Sequence, residues 1–306
     1  MRVVITGATG LIGRTLTDLL LDRGDQVVAL SRDERRAREC LGAGAEPHAW
    51  PRPLDEPPPQ DALAGADGVV HLLGEPVAQR WTAQSKAAIR NSRVAGTRNL
   101  VDGLLALAPE QRPAVLVSQS ATGYYGPCDD QPVTEDGPAG DDFLAEVVVG
   151  WEREALRAAG ELRVVVTRTG VVLSPEGGAL AKMLPFFRLG IGGPVAGGRQ
   201  YVPWIHLDDV VGAMLFSLDN AQASGPVNLT APNPVTNAVL SHTLGRVLKR
   251  PAVLPVPAFA LKLLYGDMAE IVTTGQRVLP ARLEQLGYPF RYSELEAALR
   301  DVLHHG

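Results

Sequence analysis

The sequence is poor in cysteine and in long apolar runs. Its two cysteines, Cys40 and Cys128, have no nearby cysteine or histidine partner, so we expect neither a disulfide framework nor a redox or zinc site. No apolar run approaches the roughly 18 residues that a membrane span needs, and Met1 leads into a strand pattern rather than a signal peptide. These absences predict a cytoplasmic protein without a membrane partner.

Clusters of positive charge are also scarce. The formal net charge is −5, and no Lys/Arg tract is interleaved with the aromatic residues, which make up only 5% of the chain. This argues against nucleic acid as a partner. The 306 residues exceed one ordinary domain and fall short of two, which favours one large domain with a smaller second lobe.

Apolar runs rich in Val, Leu and Ile alternate with helical patterns along the first two thirds of the chain. The strand-like runs are residues 3–6, 26–31, 68–73, 114–118 and 163–167. Helical spacing is found at residues 11–23, 86–107 and 143–159. Strands that are apolar on both faces and alternate with helices are typical of a parallel sheet covered on both sides. We therefore predict an α/β fold built on a doubly wound parallel sheet.

A glycine-rich turn stands between the first predicted strand and the first predicted helix. In it, Gly7 permits a tight turn, Gly10 lets the backbone approach a pyrophosphate, and Gly13 lets the helix pack on the strand. The helix start presents free N–H groups to phosphates. We predict a Rossmann-type dinucleotide site, to which this segment contributes Gly7, Thr9, Gly10, Leu11, Ile12 and Gly13.

The end of the second predicted strand favours one dinucleotide over the other. Ser31 and Arg32 stand where an NAD-selective protein places an acidic residue. A hydroxyl and a guanidinium bind a 2′-phosphate, so we predict NADP(H), with NAD(H) less favoured. Asp33 keeps an alternative open, because a strand one or two residues longer would turn its carboxylate toward the ribose.

These patterns divide the chain into two regions. We predict an NAD(P)-binding Rossmann domain over residues 1–230, and a smaller, mainly helical C-terminal substrate or lid lobe over residues 231–306. The lobe's helical patterns are residues 238–248, 258–264 and 295–303. Residues 174–203, rich in glycine, predict a long irregular loop inserted as a wall of the substrate site.

Short motifs spread over nearly the whole chain carry a family resemblance. They include the glycine turn, Leu72-Leu73-Gly74-Glu75-Pro76, Arg80-Trp81, Ser92-Arg93, residues 120–126, Trp151-Glu152, residues 168–173, Trp204-Ile205-His206 with Asp208-Asp209, and Gly275-Gln276-Arg277. With them the sequence resembles the extended, sugar-epimerase-like branch of the short-chain dehydrogenase/reductase superfamily. More narrowly, it resembles the atypical epimerase-family proteins that carry a C-terminal domain of unknown function.

The resemblance implies more dinucleotide contacts, from Leu72, Leu73, Gly74, Arg93 and Val172 in addition to the residues above. Surface charge for Arg93 and core packing for Val172 are the alternatives. His71, inside the apolar run that precedes Leu72, is interpreted as a packed strand residue rather than a catalytic base, because no orienting partner is identifiable.

The catalytic pair of the superfamily is replaced in this sequence. Active members carry a Tyr four residues before a Lys on one helix face, and Leu144 and Val148 fall at these positions. Ser120 remains at the end of the fifth strand, where it would polarise a carbonyl group. Tyr124 or Tyr125, in the turn that follows, offers a substitute acid. Packing of both rings against the glycine-rich loop is the alternative.

A second polar cluster follows Trp204, which we expect to line the substrate side. His206 with Asp208 and Asp209 lacks further converging ligands, so we expect no metal and predict that an aspartate caps a helix beginning at Val210.

Positive side chains of the glycine-rich segment offer a contact for an anionic group of a substrate, with a solvated loop face as the alternative. They are Lys182, Arg188 and Arg199. With these patterns, the resemblance implies an NADP(H)-dependent oxidoreductase or epimerase acting on a small polar or sugar-nucleotide substrate. A non-catalytic NADP(H)-sensing protein is the alternative, and homodimer formation is left open.

Overall fold

The computed structural model describes residues 1–304, so the last two residues of the predicted C-terminal lobe lie outside the described residues. The strands are β1 (Arg2–Thr6), β2 (Gln26–Ser31), β3 (Ala45–Ala49), β4 (Gly68–His71), β5 (Val115–Ala121), β6 (Pro132–Val133), β7 (Arg163–Thr169), β8 (Val171–Leu173), β9 (Tyr201–Val202), β10 (Trp204–His206), β11 (Gly225–Leu229), β12 (Val235–Thr236) and β13 (Arg277–Val278). Among the helices described below, none combines the length and apolar content that crossing a membrane requires.

The helices alternate with the strands through the first part of the chain and dominate the last part. They are α1 (Leu11–Asp22), α2 (Glu34–Leu41), α3 (Gln60–Leu63), α4 (Ala83–Leu105), α5 (Phe143–Leu156), α6 (Gly178–Arg188), α7 (Leu207–Asp219), α8 (Asn237–Leu248), α9 (Ala258–Tyr265), α10 (Ala269–Thr273), α11 (Ala281–Gln285) and α12 (Leu295–His304). A 3-10 turn over Thr122–Tyr125 follows β5 directly.

Seven strands form one parallel sheet in the order β11-β7-β5-β4-β1-β2-β3. The order reverses between β1 and β4, where Ile5 of β1 pairs with Ala29 of β2 on one side and with Val70 of β4 on the other. In such sheets a ligand binds in the crevice outside the carboxyl ends of the strands, at this reversal. The predicted Rossmann-type doubly wound fold is confirmed.

The two faces of the sheet are covered by different helices because successive strand residues point to opposite sides. Val3 and Ile5 of β1 enter a core shared with α1 and α7, whereas Val4 enters a core shared with α4 and α5. Leu16 of α1 and Leu100 of α4 are fully buried on these two sides. Burial of each such side chain contributes about 1.5–3 kcal/mol, so both helix layers fix the sheet from which the site is built.

A further core lies outside the two helix layers and is formed chiefly by α6, α8 and α12, so α6 packs with the predicted C-terminal lobe although it precedes residue 231. Trp204 is fully buried in it, and its Nε1 donates a hydrogen bond to the carbonyl oxygen of Asn233 (3.0 Å). The prediction that Trp204 lines the substrate side was therefore wrong. Its indole is held inside because β10 pairs with β8 and leads into α7, which leaves the ring facing the lobe's core.

The predicted irregular loop over residues 174–203 needs a correction as well. It contains the three-turn helix α6, whose Leu180, Leu184 and Phe187 recur at helical spacing and are buried. Glycines on both sides of this helix, and Pro185 within it, obscured the pattern in the sequence. The strands β3 and β11 at the two edges of the sheet were also missing from the predicted set, although both complete it.

Candidate cofactor site

The glycine turn after β1 is closed too tightly for any side chain at two of its positions. Gly7 has a φ of +67°, and a Cβ placed on it would lie 2.7 Å from the carbonyl oxygen of Leu72, just beyond the end of β4. A Cβ on Gly13 would lie 2.3 Å from the carbonyl oxygen of Gly7. The backbone N–H of Gly10 donates to that same oxygen (3.0 Å), which closes the turn. Glycine is thus required where α1 meets the sheet.

The N-terminus of α1 is open toward the crevice. Its N-cap residue is Gly10, which has no side chain to occupy the free N–H groups of the first turn. Gly10 is exposed, and Thr9, Leu11 and Ile12 are half-buried around it. Unsatisfied N–H groups and the positive end of the helix dipole favour a phosphate at this place. The local geometry therefore fits the pyrophosphate of a dinucleotide.

The entry to α6 lies over the start of α1. A Cβ on Gly177 would lie 3.4 Å from Cδ2 of Leu11, and the Arg14 guanidinium is 3.1 Å from the Glu176 carboxylate. Behind this entry, Val172 of β8 is half-buried against the core under α1. Val172 therefore packs on the core, as the alternative interpretation expected, and its contact with a dinucleotide stays a prediction.

The end of β2 separates the two candidates for the ribose position. The Asp33 carboxylate caps α2 by accepting a hydrogen bond from the backbone N–H of Arg36 (3.0 Å). The Ser31 hydroxyl donates to the carbonyl oxygen of Asp33 (3.0 Å). The Arg32 side chain is 71% exposed, and its Nη1 lies 4.0 Å from Oε1 of Glu75. Asp33 is therefore committed to its helix, whereas the Arg32 guanidinium is available to a phosphate.

The wall after β4 is built around Arg93 of α4. Its Nη1 donates to the carbonyl oxygens of Glu75 (3.0 Å) and Ile89 (3.3 Å), and its guanidinium lies 5.1 Å from the ring of Trp151. A Cβ on Gly74 would lie 3.1 Å from the Arg93 Cζ. Burial lowers the pKa of Arg93 to about 10. Arg93 therefore belongs to the wall of the crevice rather than to a solvated helix surface.

Leu72 and Leu73 continue β4 along the same wall. Leu72 packs against the core beneath α1, and Leu73 reaches Gly96 of α4, where a Cβ would lie 2.6 Å from Cδ2 of Leu73. Both side chains are half-buried. The predicted cofactor residues of the glycine turn, the β2 end and this wall are thus brought to one edge of the sheet.

His71 is a structural residue of the sheet. It is fully buried, and its two ring nitrogens lie 2.8 Å from the hydroxyls of Thr6 and Thr97. Burial lowers the pKa of His71 to about 3. With both nitrogens occupied inside the protein, the ring has the partners that a packed histidine needs and no access to a substrate.

We expect this burial of His71 to make the protein less stable in mild acid. Because its folded pKa of about 3 lies below the usual 6.5, the unfolded chain takes up the proton first, and stability falls as the pH drops below 6.5. Between pH 6.5 and pH 5 the loss is about 1.6 kcal/mol. Urea unfolding of the original chain and of His71→Gln at both pH values measures it, since the variant lacks this increment. The partly exposed His48→Gln is the matched control, and an unchanged pH dependence in His71→Gln would contradict the assignment.

The two apolar residues at the positions of the missing catalytic pair pack against the turn that follows β5. Leu144 and Val148 of α5 lie against the turn after β5, at 3.4 Å and 3.9 Å from a Cβ placed on Gly123. Val148 is buried and Leu144 is half-buried. Neither side chain exchanges a proton, so these two positions of α5 offer no acid or base.

Ser120 at the end of β5 is engaged inside the protein. Its hydroxyl donates to Oε1 of Glu152 (2.6 Å), and the Arg168 guanidinium holds the same carboxylate through Nε and Nη2, each at 2.8 Å. All three residues are at most 5% exposed. Burial alone would lower the pKa of Arg168, but its bonds to Glu152 raise it. Ser120 is thus one member of a buried ion-paired cluster.

Both tyrosines of the turn pack on the same guanidinium. The ring of Tyr124 lies 3.4 Å from the Arg168 Cζ, and the Tyr125 hydroxyl accepts a hydrogen bond from Nη1 of Arg168 (2.9 Å) while donating to Oδ1 of Asn228 (2.7 Å). Burial raises the pKa of Tyr125 to about 12. Tyr124 faces a surface hollow of about 520 Å³ beside Val149 and other residues in the C-terminal half of α5. These contacts pack both rings on Arg168, not on the glycine-rich loop of the predicted alternative, and a catalytic role for either stays a prediction.

The carboxylate of Glu135 also belongs to this cluster, although no pattern in the sequence indicated it. Its Oε1 accepts hydrogen bonds from the backbone N–H groups of Asn228 (2.9 Å) and Arg282 (3.1 Å), and its carbonyl oxygen accepts one from Arg168 (3.0 Å). Glu135 lies in a segment between β6 and α5 with no periodic pattern. Only its three-dimensional contacts identify it.

The helix after Trp204 begins earlier than predicted and has a different cap. α7 starts at Leu207, and Nδ1 of His206 accepts the backbone N–H of Asp208 (3.0 Å), so the predicted aspartate cap was wrong. The ring of His206 stacks on Tyr292 at 3.9 Å, and its Nε2 lies 3.2 Å from the Asp301 carboxylate. This histidine therefore joins α7 to the C-terminal segment.

Asp209, the second aspartate, ties the same two parts together. Its carboxylate accepts hydrogen bonds from the backbone N–H groups of Arg291 (2.8 Å) and Tyr292 (2.9 Å), and from the hydroxyl of Tyr288 (3.2 Å). Asp209 is 1% exposed.

Of the three cations predicted for the glycine-rich segment, Lys182 donates to the carbonyl oxygen of Ala78, and Arg188 and Arg199 are exposed.

Sequence comparison identifies the family of this arrangement. The pattern of the NAD dependent epimerase/dehydratase family matches residues 3–230, and that of a C-terminal domain of unknown function matches residues 256–302. The chain belongs to the NAD dependent epimerase/dehydratase family. The chloroplastic homologue of epimerase family protein SDR39U1 from Arabidopsis thaliana is 42% identical over 99% of this chain and 87% of its own length. An epimerase family protein of Mycobacterium bovis is 41% identical over 97% of this chain and 96% of its own length.

Solved structures extend the family assignment to three dimensions. Human epimerase family protein SDR39U1 (isoform 2), crystallised with NADPH, is 34% identical and superposes with a TM-score of 0.90 over the whole of both chains. A UDP-galactose 4-epimerase is 21% identical with a TM-score of 0.73, and this likeness concerns the fold alone. The predicted resemblance to epimerase-family proteins with a C-terminal domain of unknown function is confirmed.

Proposed function

We propose that this chain is an NADP(H)-binding protein that responds to its cofactor without the tyrosine–lysine chemistry of the superfamily. The observation that carries the cofactor choice is the arrangement at the end of β2, where Asp33 caps α2 and the Arg32 guanidinium stays exposed. A 2′-phosphate would meet the exposed Arg32 guanidinium there, whose ion pair with Glu75 is long at 4.0 Å, while the Asp33 carboxylate is held by its helix. The NADPH found in the human relative supports the same choice.

Loss of the Arg32 guanidinium is expected to weaken NADPH binding selectively. A charge-assisted contact to a phosphate contributes about 1.5–3 kcal/mol, so Arg32→Ala should raise the dissociation constant for NADPH at least about tenfold. The dissociation constant for NADH, which lacks the 2′-phosphate, should stay nearly unchanged. A fluorescence titration of nucleotide-free protein with each cofactor measures both values.

A matched control variant is Arg38→Ala on the helix that follows. Its guanidinium is bound to Glu34 at 3.0 Å and lies more than a turn further along the chain, so both affinities should be retained. Equal affinities of the original chain for NADPH and NADH would contradict the proposal and would indicate that Asp33 contacts the ribose instead. Absence of binding for both cofactors would exclude a dinucleotide function.

The contacts of the candidate catalytic groups favour a sensing protein over an enzyme. Leu144 and Val148 supply no proton, Ser120 is bound to Glu152, and the hydroxyl of Tyr125 is buried between two partners. The one carboxylate on this face of α5 among these groups, that of Glu152, is held in an ion pair with Arg168. The function that this geometry supports best is sensing of the cofactor, in which the protein takes one state with NADPH bound and another with NADP⁺ bound.

An oxidoreductase or epimerase acting on a small polar or sugar-nucleotide substrate is the second candidate. The observation in its favour is the position of Ser120, at the carboxyl end of β5 and 1% exposed beside the turn that Leu144 contacts. Incubation of NADPH-loaded protein with aldehydes, ketones and UDP-sugars separates the two. Oxidation of NADPH or epimerisation of a UDP-sugar that is lost in Ser120→Ala would establish the enzyme and overturn the sensing proposal.

A further inference from the structure

Large apolar side chains are exposed on α6, on α9 and in the segments that adjoin these two helices. We call this surface the apolar tip. It consists of Phe186, Leu189, Ile191, Val253, Leu254, Phe259 and Leu263. Four of these side chains, Leu189, Val253, Phe259 and Leu263, are more than 70% exposed. Isolated exposed apolar residues are ordinary, but a cluster of this size marks a surface that binds something.

The parts of the tip are neighbours in space although they are far apart in the chain. The segment after α6 runs beside the segment before α9, where the backbone N–H of Val256 donates to the carbonyl oxygen of Pro194 (2.9 Å). A Cβ on Gly190 would lie 3.3 Å from Pro251, and α9 begins two residues after Val256. Phe259 and Leu263, four residues apart, share one face of α9.

The two segments that form the tip carry charge of one sign, and the first acidic residue after them is Asp267. Residues 177–207 and 220–266 contain no aspartate or glutamate, although the whole chain carries a net charge of −5. Four exposed cations lie within or next to the tip, and none of them forms an ion pair within the described chain: Arg188, Lys249, Arg250 and Lys262. Cations that a folded protein leaves unpaired beside an apolar surface are available to an anionic partner.

The polar groups of the tip are cations alone. Between residues 183 and 195, and between residues 251 and 264, the only side chains with hydrogen-bonding groups are Arg188 and Lys262. A protein interface of ordinary size needs about one hydrogen bond for every 100–200 Å² and a polar rim that supplies it. Binding to a bilayer surface requires only apolar side chains that insert at the acyl boundary and cations that contact the headgroups.

We propose that the apolar tip docks on the surface of an anionic lipid bilayer. Phe259 and Leu263 enter the interface with the apolar end of α6 and the segment before α9, while Arg188, Arg250 and Lys262 contact lipid phosphates. The expectation of no membrane partner rested on the absence of a spanning segment, and peripheral docking needs none. The sequence alone conceals the tip because it is assembled from segments about 60 residues apart.

Co-sedimentation of the full chain with lipid vesicles tests the proposal. Vesicles of phosphatidylcholine alone are compared with vesicles containing about one-third phosphatidylglycerol, at low and high salt. We expect binding to the anionic vesicles, little to the neutral ones, and weakening by salt. Because each cation contributes about a factor of five near an anionic surface, Arg188→Glu with Arg250→Glu should lower the partition coefficient at least about thirtyfold.

Two further variants separate docking from a loss of fold. Phe259→Ser with Leu263→Ser removes apolar side chains that are 75% and 76% exposed, so thermal unfolding should be unchanged while vesicle binding is lost. Leu156→Ser, an exposed apolar residue of α5 outside the tip, should bind as the original chain does. Equal binding to neutral and anionic vesicles, or binding that survives both tip variants, would overturn the proposal. Binding to soluble polyglutamate but to no vesicle would assign the tip to an acidic protein partner instead.

Discussion

Arg168→Met is expected to lower the free energy of unfolding by about 3–5 kcal/mol, because it leaves the Glu152 carboxylate buried without its counter-charge. In the folded protein, Glu152 receives two hydrogen bonds of 2.8 Å from Arg168 and one of 2.6 Å from Ser120. The same substitution removes the cation under the ring of Tyr124 and the donor to Tyr125. Urea unfolding at neutral pH measures the loss.

Two controls show whether the effect comes from the unpaired charge. Arg153→Met removes an exposed guanidinium of α5 and should change stability by less than about 0.5 kcal/mol. Adding Glu152→Leu to Arg168→Met removes the stranded carboxylate and should restore part of the lost stability, since an apolar pair replaces an ion pair at little cost. If the double variant is less stable than Arg168→Met, packing rather than charge holds this cluster together.

Gly13→Ala is expected to reduce NADPH affinity about a hundredfold, since the turn that faces the pyrophosphate must open to admit the methyl group. The added Cβ would lie 2.3 Å from the carbonyl oxygen of Gly7 and 2.7 Å from Cα of Ala8. Both are backbone atoms, which cannot relieve the clash by a change of rotamer. The same crowding should cost about 1–3 kcal/mol of stability. NADPH titration and urea unfolding measure the two effects.

Gly160→Ala is the matched control for this substitution. No atom lies within 4 Å of a Cβ at that position, so both NADPH affinity and stability should be kept. Gly10→Ala, with a single neighbour at 3.3 Å, should fall between the two. Retention of full NADPH affinity by Gly13→Ala would show that the dinucleotide does not lie on this turn.

The sequence predicts the sheet and the glycine turn well because both depend on local patterns. The runs at residues 26–31 and 163–167 match β2 and most of β7, since a buried parallel strand is continuously apolar. β3, with the sequence Ala45-Glu46-Pro47-His48-Ala49, has no such run because it is an edge strand with one mostly uncovered side. Its place in the sheet is fixed by pairing with β2.

The candidate site is predictable in part. The roles of Gly7 and Gly13 follow from the spacing of the glycines, whereas the cap formed by Asp33 and the engagement of Ser120 depend on contacts that spacing does not reveal. The cluster around Arg168 draws on β5, β7, α5 and the segment after β6, and the hydrogen bond from Tyr125 to Asn228 spans 103 residues of the chain. No local pattern connects such residues, and only the folded chain brings them together.

The carboxylates of Asp209 and Glu135 bind the two regions of the chain into one body. Asp209 belongs to a helix of the Rossmann part and holds the backbone of Arg291 and Tyr292, while Glu135 holds the backbone of Arg282. A chain ending at residue 230 would leave both carboxylates without these donors, at a cost that an apolar interface does not incur. These hydrogen bonds therefore cross the boundary between the two family patterns, and a cut there would break them.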